Sequence, residues 1–357
     1  MLFFIGNGFD IAMGLKTSYS DFLDWYLSSE VKSNDSNVIK LKNAIKRDRD
    51  AGINSWADLE KKLGGYTGEY EENDKAAEDF ICAYLDIKEQ LDRYIGEIVK
   101  SAENEAHVGD VSKEVRKFIV DIAKYFEPTQ HESEKLKHYW ALKSSIEPTN
   151  RDVEYNFVTF NYTKTLEKCI DNKNRILRSR PADNGGRVND SIGKIIHVHG
   201  INKIVDGSNK TKANYTLFGI DNEEQIINKH FQKHRGVRAH LIKPEINKEL
   251  EKGVEESVKE VLSKSDVICF LGVSFGDSDV SWWRMVGDWL KAQQTRKVVI
   301  FKYSEKMKEA ADEIIHKKDA EQTFRNQSGI SVEEYEKIKH KVYINVDRSI
   351  FEHKLVK

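Results

Sequence analysis

Four short polar or glycine-bearing segments hold most of the residues in this chain equipped for chemistry. They are Gly6-Asn7-Gly8-Phe9-Asp10, Asn161-Tyr162-Thr163, His199-Gly200, and Gly272-Val273-Ser274-Phe275-Gly276-Asp277-Ser278-Asp279. In the first, small residues after an apolar run let backbone amides approach a pyrophosphate at the start of a helix. Ile11 stands where a dinucleotide fingerprint has its third glycine, and no strand carrying a ribose-binding acid follows about 20 residues later. A bare GxG of this kind reads either as a tight turn or as a phosphate cradle, and Asp10 either as a helix cap or as a ligand contact. Asn161, at a strand end, can bridge backbone groups or hold a ribose hydroxyl or a water. His197 and His199 alternate along one run and so share a face. A metal pair there lacks a third ligand at suitable spacing, which leaves His199 as a general base. Ser274 can donate to a phosphate or ribose. Asp277 and Asp279 read as turn and cap residues, or as holders of Mg²⁺ on a nucleotide.

Elements must position these groups. Apolar runs at 2–5, 156–160, 195–199, 215–218, 267–271, 298–303 and 342–346 alternate with helical stretches, the pattern of a mostly parallel α/β sheet. Ligands bind beyond the carboxyl ends of such strands, so the four segments form one pocket if their strands are neighbours. From Tyr19 to Glu147 no strand signal occurs, and the stripe Phe80, Tyr84, Ile87, Leu91, Tyr94, Ile95, Ile98 and Val99 predicts a helix over 76–101. A second stripe runs from Val115 to Phe126. The domains expected are a nucleotide-binding sheet at 1–20 and 150–350 and a helical insertion at 21–149. A helix over 281–292 should turn Trp282, Met285, Val286, Trp289 and Leu290 to the core. The Arg-rich stretch 175–190 reads as a mobile surface loop.

The chain has 357 residues, 57 Lys plus Arg against 59 Asp plus Glu, and 39% hydrophobic residues, which excludes a disordered chain, a collagen and a coiled-coil rod. With a net charge of -2, no global field demands nucleic acid or an anionic membrane. Charge is local instead. Residues 69–110 carry thirteen acids and four Lys or Arg, while 225–244 holds Lys229, Lys233, Arg235, Arg238 and Lys243 without an acid. The first reads as a solvated face or a partner surface, the second as a solvated helix and loop or a docking strip. Cys82, Cys169 and Cys269 make no CxxC pair, which points to a reducing compartment. The apolar opening lacks a basic region before it and is soon interrupted by Asn7 and Asp10. A soluble cytoplasmic protein is the expectation.

The opening from Phe4 to Phe22, Gly6-Asn7-Gly8-Phe9-Asp10-Ile11-Ala12-Met13-Gly14-Leu15-Lys16-Thr17-Ser18-Tyr19 at its centre, resembles the AbiH family of phage abortive-infection proteins, as does Trp56-Ala57-Asp58-Leu59-Glu60. Phe160-Asn161-Tyr162, His199-Gly200 and Gly272-Val273-Ser274 look like the sirtuin-like, Rossmann-like NAD-binding fold. The resemblance implies NAD as substrate, with Asn161 holding the nicotinamide ribose or water, His199 acting on the ribose hydroxyls and Asp10 ordering the nicotinamide pocket. Gly6, Asn7, Gly8, Phe9 and Asp10 would line the phosphates and nicotinamide side, and Gly272, Ser274 and Asp279 the other half. Three isolated cysteines cannot build the zinc module of protein-deacetylating sirtuins, and Thr163 replaces the acid after their asparagine. Both departures favour simple cleavage of the nicotinamide glycosidic bond, without a metal. The rivals are a nucleotide or ADP-ribose sensor that does no chemistry, and a metal-dependent nuclease built on Asp10, Asp277 and Asp279. A phage trigger, a partner protein or oligomerisation through the insertion would control such an enzyme.

Overall fold

The computed structural model describes residues 1–28, 33–51, 59–103, 108–128, 133–170, 175–202, 216–250, 253–304, 310–347 and 351. Its strands are β1 (Leu2–Ile5), β2 (Val153–Thr159), β3 (Ile176–Pro181), β4 (Arg187–His197), β5 (Val267–Leu271), β6 (Lys297–Tyr303) and β7 (Val342–Asp347). They form one sheet in the order β3-β4-β2-β1-β5-β6-β7, parallel throughout except at β3. β1 and β5 are buried along their whole length, as the unbroken apolar sequences of central parallel strands require. Phe3, Ile5, Phe157, Cys269, Leu271, Val299 and Phe301 face one layer of helices, while Leu2, Phe4, Val158, Ile268, Phe270, Val298 and Ile300 face the other.

In chain order the helices are α1 (Gly8–Ala12), α2 (Tyr19–Tyr26), α3 (Ser36–Asp50), α4 (Leu59–Tyr66), α5 (Asp74–Glu103), α6 (Val108–Val120), α7 (Ser133–Ile146), α8 (Thr165–Ile170), α9 (Arg235–Leu241), α10 (Lys243–Glu249), α11 (Val254–Ser263), α12 (Val280–Ala292), α13 (Ala310–Gln327) and α14 (Val332–Ile338). The segment between β1 and β2 is helical, and it divides between two cores. Helices α2 to α5 share an apolar cluster with Phe218, Ile220, Phe231, Val237, Leu241 and Ile242. Val111, Val115, Phe118 and Ile119 of α6, with Tyr139, Leu142 and Ile146 of α7, lie instead on the sheet.

Three local expectations are corrected. Residues 175–190 are no loop: β3 and β4 form an antiparallel hairpin closed by Ala182 and Gly186. Two of its arginines look like surface residues in the sequence but are strand residues gripping one fully buried carboxylate, Asp190, to which Arg180 gives a forked bond and Arg178 a further one. The run 215–218 forms no strand where it is described. Leu217 and Phe218 are buried in the helical cluster, and the nearby sheet-like contact is a single bridge between Ile220 and Ile242. In α12, Val286, Trp289 and Leu290 are buried as expected, but of the adjacent tryptophans Trp283 is the fully buried one, with Trp282 and Met285 only partly buried against the same core. The three cysteines are free thiols, and no helix among the described residues is long and apolar enough to cross a membrane.

The centre of the sheet is fixed by glycine. Gly6 N–H donates to Leu271 O and Gly8 N–H to Gly272 O, both at 2.9 Å. A Cβ on Gly6 would lie 2.4 Å from the Gly272 oxygen, and one on Gly272, at φ +67°, would lie 2.4 Å from the Phe9 nitrogen. Gly272→Ala therefore meets both a left-handed backbone and a backbone collision, and should destabilise the fold by about 2 kcal/mol or more. Gly65→Ala, in a helix with nothing within 4 Å of the added carbon, should stabilise it by up to about 1 kcal/mol. Urea unfolding of both variants checks the pair; equal effects would contradict the contact.

Candidate functional site

The four chemistry-bearing segments follow β1, β2, β4 and β5, and these strands stand side by side as β4-β2-β1-β5. The connections from β1 run to β2 and β4 on one side before the chain crosses to β5 on the other, so β1 and β5 flank the point where the direction reverses. A cavity of about 600 Å³ opens there, within the range of small-molecule sites. Its wall includes Gly6, Asn7, Gly8, Asp10, Asn161, His199, Gly272, Ser274 and Asp279. The ring of Phe9 is in the core, edge-on to Phe351, rather than on that wall. Asn7 ties the loop after β1 to the next turn: its amide donates to Thr17 O at 2.8 Å and accepts from the Thr17 hydroxyl at 2.6 Å.

One side of the cavity is a buried acid held by uncharged hydrogen-bond donors. Asp10 is 1% exposed. Asn161 Nδ2 donates to its Oδ1 at 3.0 Å and Thr163 Oγ1 to its Oδ2 at 2.7 Å. Burial pushes the Asp10 carboxyl up to about 6, against the lowering effect of bonds from Thr163, Asn161 and Thr165, and the charge of Glu167 adds to the rise. Because Asn161 spends its amide hydrogens on Asp10, its carbonyl oxygen Oδ1 is buried with no hydrogen-bond partner among the described residues. The residue itself is 5% exposed and lines the cavity. Below it, His197 approaches the backbone carbonyl of Asn161 through Nδ1 at 3.3 Å and Glu167 through Nε2 at 2.7 Å.

The opposite side is charged. His199 Nε2 lies 2.8 Å from Asp279 Oδ1. The same oxygen accepts from Lys243 Nζ at 2.8 Å, and that ammonium also donates to Glu60 Oε2 at 3.0 Å and lies 3.3 Å from His199 Nε2. All four residues are buried. Burial disfavours the charge of Lys243, but the carboxylates of Asp279 and Glu60 outweigh it and hold the amine above the usual lysine range. Burial likewise works against the Asp279 carboxylate, yet His199 and Lys243 keep it below the usual carboxyl range. Glu60 further accepts from Gly219 N–H at 3.0 Å, and the Tyr162 hydroxyl, which donates to Leu217 O at 3.0 Å, approaches it at 3.5 Å.

Sequence spacing brought Asp10, Asn161, His199, Ser274 and Asp279 into this cavity, and the structure places them there together. His197 and His199, in contrast, do not act as a pair. β4 ends at His197, the chain turns into Gly200 at φ +74°, and the two imidazoles contact different carboxylates. Glu60 and Lys243 escaped attention as site residues. Glu60 had a signal, since it closes the Trp56-Ala57-Asp58-Leu59-Glu60 motif, whose first three residues lie outside the described residues. Lys243 had none, being one of five cations in a strip that reads as solvated. Within that strip His230 contacts Asp74 and Arg238 pairs with Glu245. Elsewhere in the acidic stretch, Asp86 accepts from Tyr26 and Asp92 from Asn202.

A family model described as "Bacteriophage abortive infection AbiH" matches residues 2–301, from the start of β1 into β6. The chain belongs to the AbiH family. No curated protein matches it. The matched span contains every residue of the cavity wall named above, so in this AbiH protein the site and the family assignment cover the same stretch of chain. The family carries a role in bacteriophage abortive infection.

The Asp10 environment has a consequence for stability. A folded-state value near 6 against an unfolded value of 3.8 means that the folded chain binds the proton more tightly. Stability is therefore lost as pH rises from about 4 to 6 and stays lowered above. Asp10→Asn should remove that loss, stabilising the protein at pH 8 by up to about 3 kcal/mol and at pH 4.5 by only about 1 kcal/mol. Urea denaturation at the two pH values measures it; the same difference at both would contradict the assignment.

Proposed function

We propose that this AbiH protein hydrolyses NAD at the bond between nicotinamide and ribose. Leaving out the antiparallel β3, the parallel strands run 3-2-1-4-5-6 in chain order across the sheet, the order of doubly wound dinucleotide-binding folds, whose ligands lie at the reversal point. That supports a Rossmann-like, sirtuin-like reading of the fold. The observation that carries the proposal is the unpartnered Asn161 carbonyl oxygen, buried in a cavity wall that also holds the imidazole of His199. A buried acceptor without a donor costs about 1–3 kcal/mol, and a hydroxyl or water brought into the cavity would satisfy it.

In the reaction the bond from C1′ to the pyridinium nitrogen breaks, its electron pair neutralises the ring, and positive charge develops on the ribose. Water then bonds to C1′ and releases one proton. Asn161 holds the ribose hydroxyl or the attacking water through Oδ1. His199, steadied by Asp279, polarises the ribose hydroxyls, and Asp10 fixes the Asn161 amide so that its oxygen faces the substrate. A positioned base or polarising group contributes about 10²- to 10⁴-fold. The phosphates lie along the loop Gly6-Asn7-Gly8, whose Gly6 and Gly8 amides are already given to Leu271 and Gly272, and Ser274 meets the adenosine half. The three acids that a nuclease would need have separate partners: Asp10 has Asn161 and Thr163, Asp279 has His199 and Lys243, and Asp277 has Lys61 and Gln327.

Purified protein incubated with NAD, with and without phage lysate, should release nicotinamide, measured by chromatography. Asn161→Ala should lower the rate by about 10²-fold or more while nucleotide binding, read by calorimetry, stays within a few-fold. NAD undiminished in every condition beside an active control would overturn the proposal; binding without turnover would select a nucleotide sensor.

A further inference from the structure

Lys243 does not line the cavity, yet three polar groups within its reach do: the carboxylates of Glu60 and Asp279 and the imidazole of His199. We propose that Lys243 is a positioning residue which, from behind the wall, sets how His199 is held and couples it to the seating of the helical insertion. The proposal rests on the reading in which His199 acts on NAD.

Lys243 is 4% exposed, and its ammonium is the charge within hydrogen-bond reach of both carboxylates. Asp279 Oδ1 is shared between two nitrogens, Lys243 Nζ and His199 Nε2, each at 2.8 Å. Whatever strengthens one contact weakens the other. Glu60 sets that balance from its side, because a lysine drawn toward Glu60 Oε2 leaves more of Asp279 to the imidazole. Glu60 belongs to α4, in the helical segment, and α4 is fastened to the same neighbourhood. Ile227 N–H donates to Gly64 O at 3.2 Å, Lys61 pairs with Asp277, and Gln225 Nε2 donates to Asp277 O at 2.8 Å. A shift of α4 therefore pulls on the turn carrying Asp279 and on Lys243 together.

Other titratable groups facing this cluster are Tyr162, whose ring lies 6.0 Å from that of His199, Tyr19 next to Tyr162, and Asp221, which accepts from Ser281 and lies near Lys243 and Asp279. The Phe160 ring closes the remaining side edge-on at 5.2 Å. A buried ion pair can be purely structural, so the test must read the imidazole itself.

Histidine-selective NMR on the full chain, free of substrate, follows the imidazole titration of His199, assigned by its loss in His199→Gln. Lys243→Met removes the competing donor and the nearest positive charge, and should raise the midpoint by one pH unit or more, a tenfold gain in proton affinity. Glu60→Gln commits Lys243 to Asp279 and should lower it. Shifts of opposite sign support the proposal; shifts of the same sign, or none, overturn it. If Lys243→Met fails to fold, Lys243→Met/Glu60→Gln removes one charge of each sign, and its midpoint should exceed that of Glu60→Gln, equality overturning the proposal. The readout needs no turnover, so a protein that leaves NAD intact but shows the paired shifts refutes the hydrolase reading and retains this one.

Discussion

Backbone meets backbone at the middle of the sheet, and the rest of the molecule is arranged around that contact. Gly6 and Gly8 after β1 and Gly272 after β5 approach so closely that no side-chain carbon fits between them. The glycines read in the sequence as small residues that let a phosphate come near are thus small first because the two loop tips must touch. The consequence for function is direct. With the loops joined at their bases, the strand ends on either side open into a crevice, to which Asn161 and His199 are delivered from two further chain segments and Ser274 from the Gly272 loop itself.

The two walls of that crevice solve the burial of polar groups differently. Around Asp10 the donors are uncharged: an acid deep in the protein is partly relieved by hydroxyl and amide hydrogens, while burial lifts its carboxyl to about 6. Around Lys243 the solution is charge compensation, with one ammonium between two carboxylates and an imidazole alongside. Unpaired, any of these ions would be costly to bury. Glu60 on α4 and Lys243, next to Ile242 of the same apolar cluster, stand on the helical side, while Asp279 follows β5. The ion cluster consequently joins two parts of the fold whose apolar cores are separate.

Much of this was legible in the sequence. Runs such as Leu2–Ile5 and Val267–Leu271 are apolar because central parallel strands are covered on both faces, and the helix of residues Asp74–Glu103 announces itself by its stripe. The hairpin of β3 and β4 was hidden because its cohesion comes from Arg178 and Arg180 on Asp190, a charge pattern that in sequence resembles solvent-exposed loop. At α12 the expected face holds at Val286, Trp289 and Leu290, but adjacent tryptophans offer two nearly equal apolar faces, and packing against Phe4 and Phe270 selects Trp283 as the deeper of the two. Lys243 was invisible for a related reason. Lysine is almost always exposed, and only the fold brings Glu60 and Asp279, distant in sequence, to either side of it.

The most direct measurement is a crystal structure of the His199→Gln variant with NAD, in which slowed chemistry preserves the substrate. The account predicts the nicotinamide ribose within hydrogen-bond distance of Asn161 Oδ1 and beside position 199, with the adenosine half toward Ser274. NAD bound on another face, or a cavity that stays without nucleotide at saturating concentration, would contradict it.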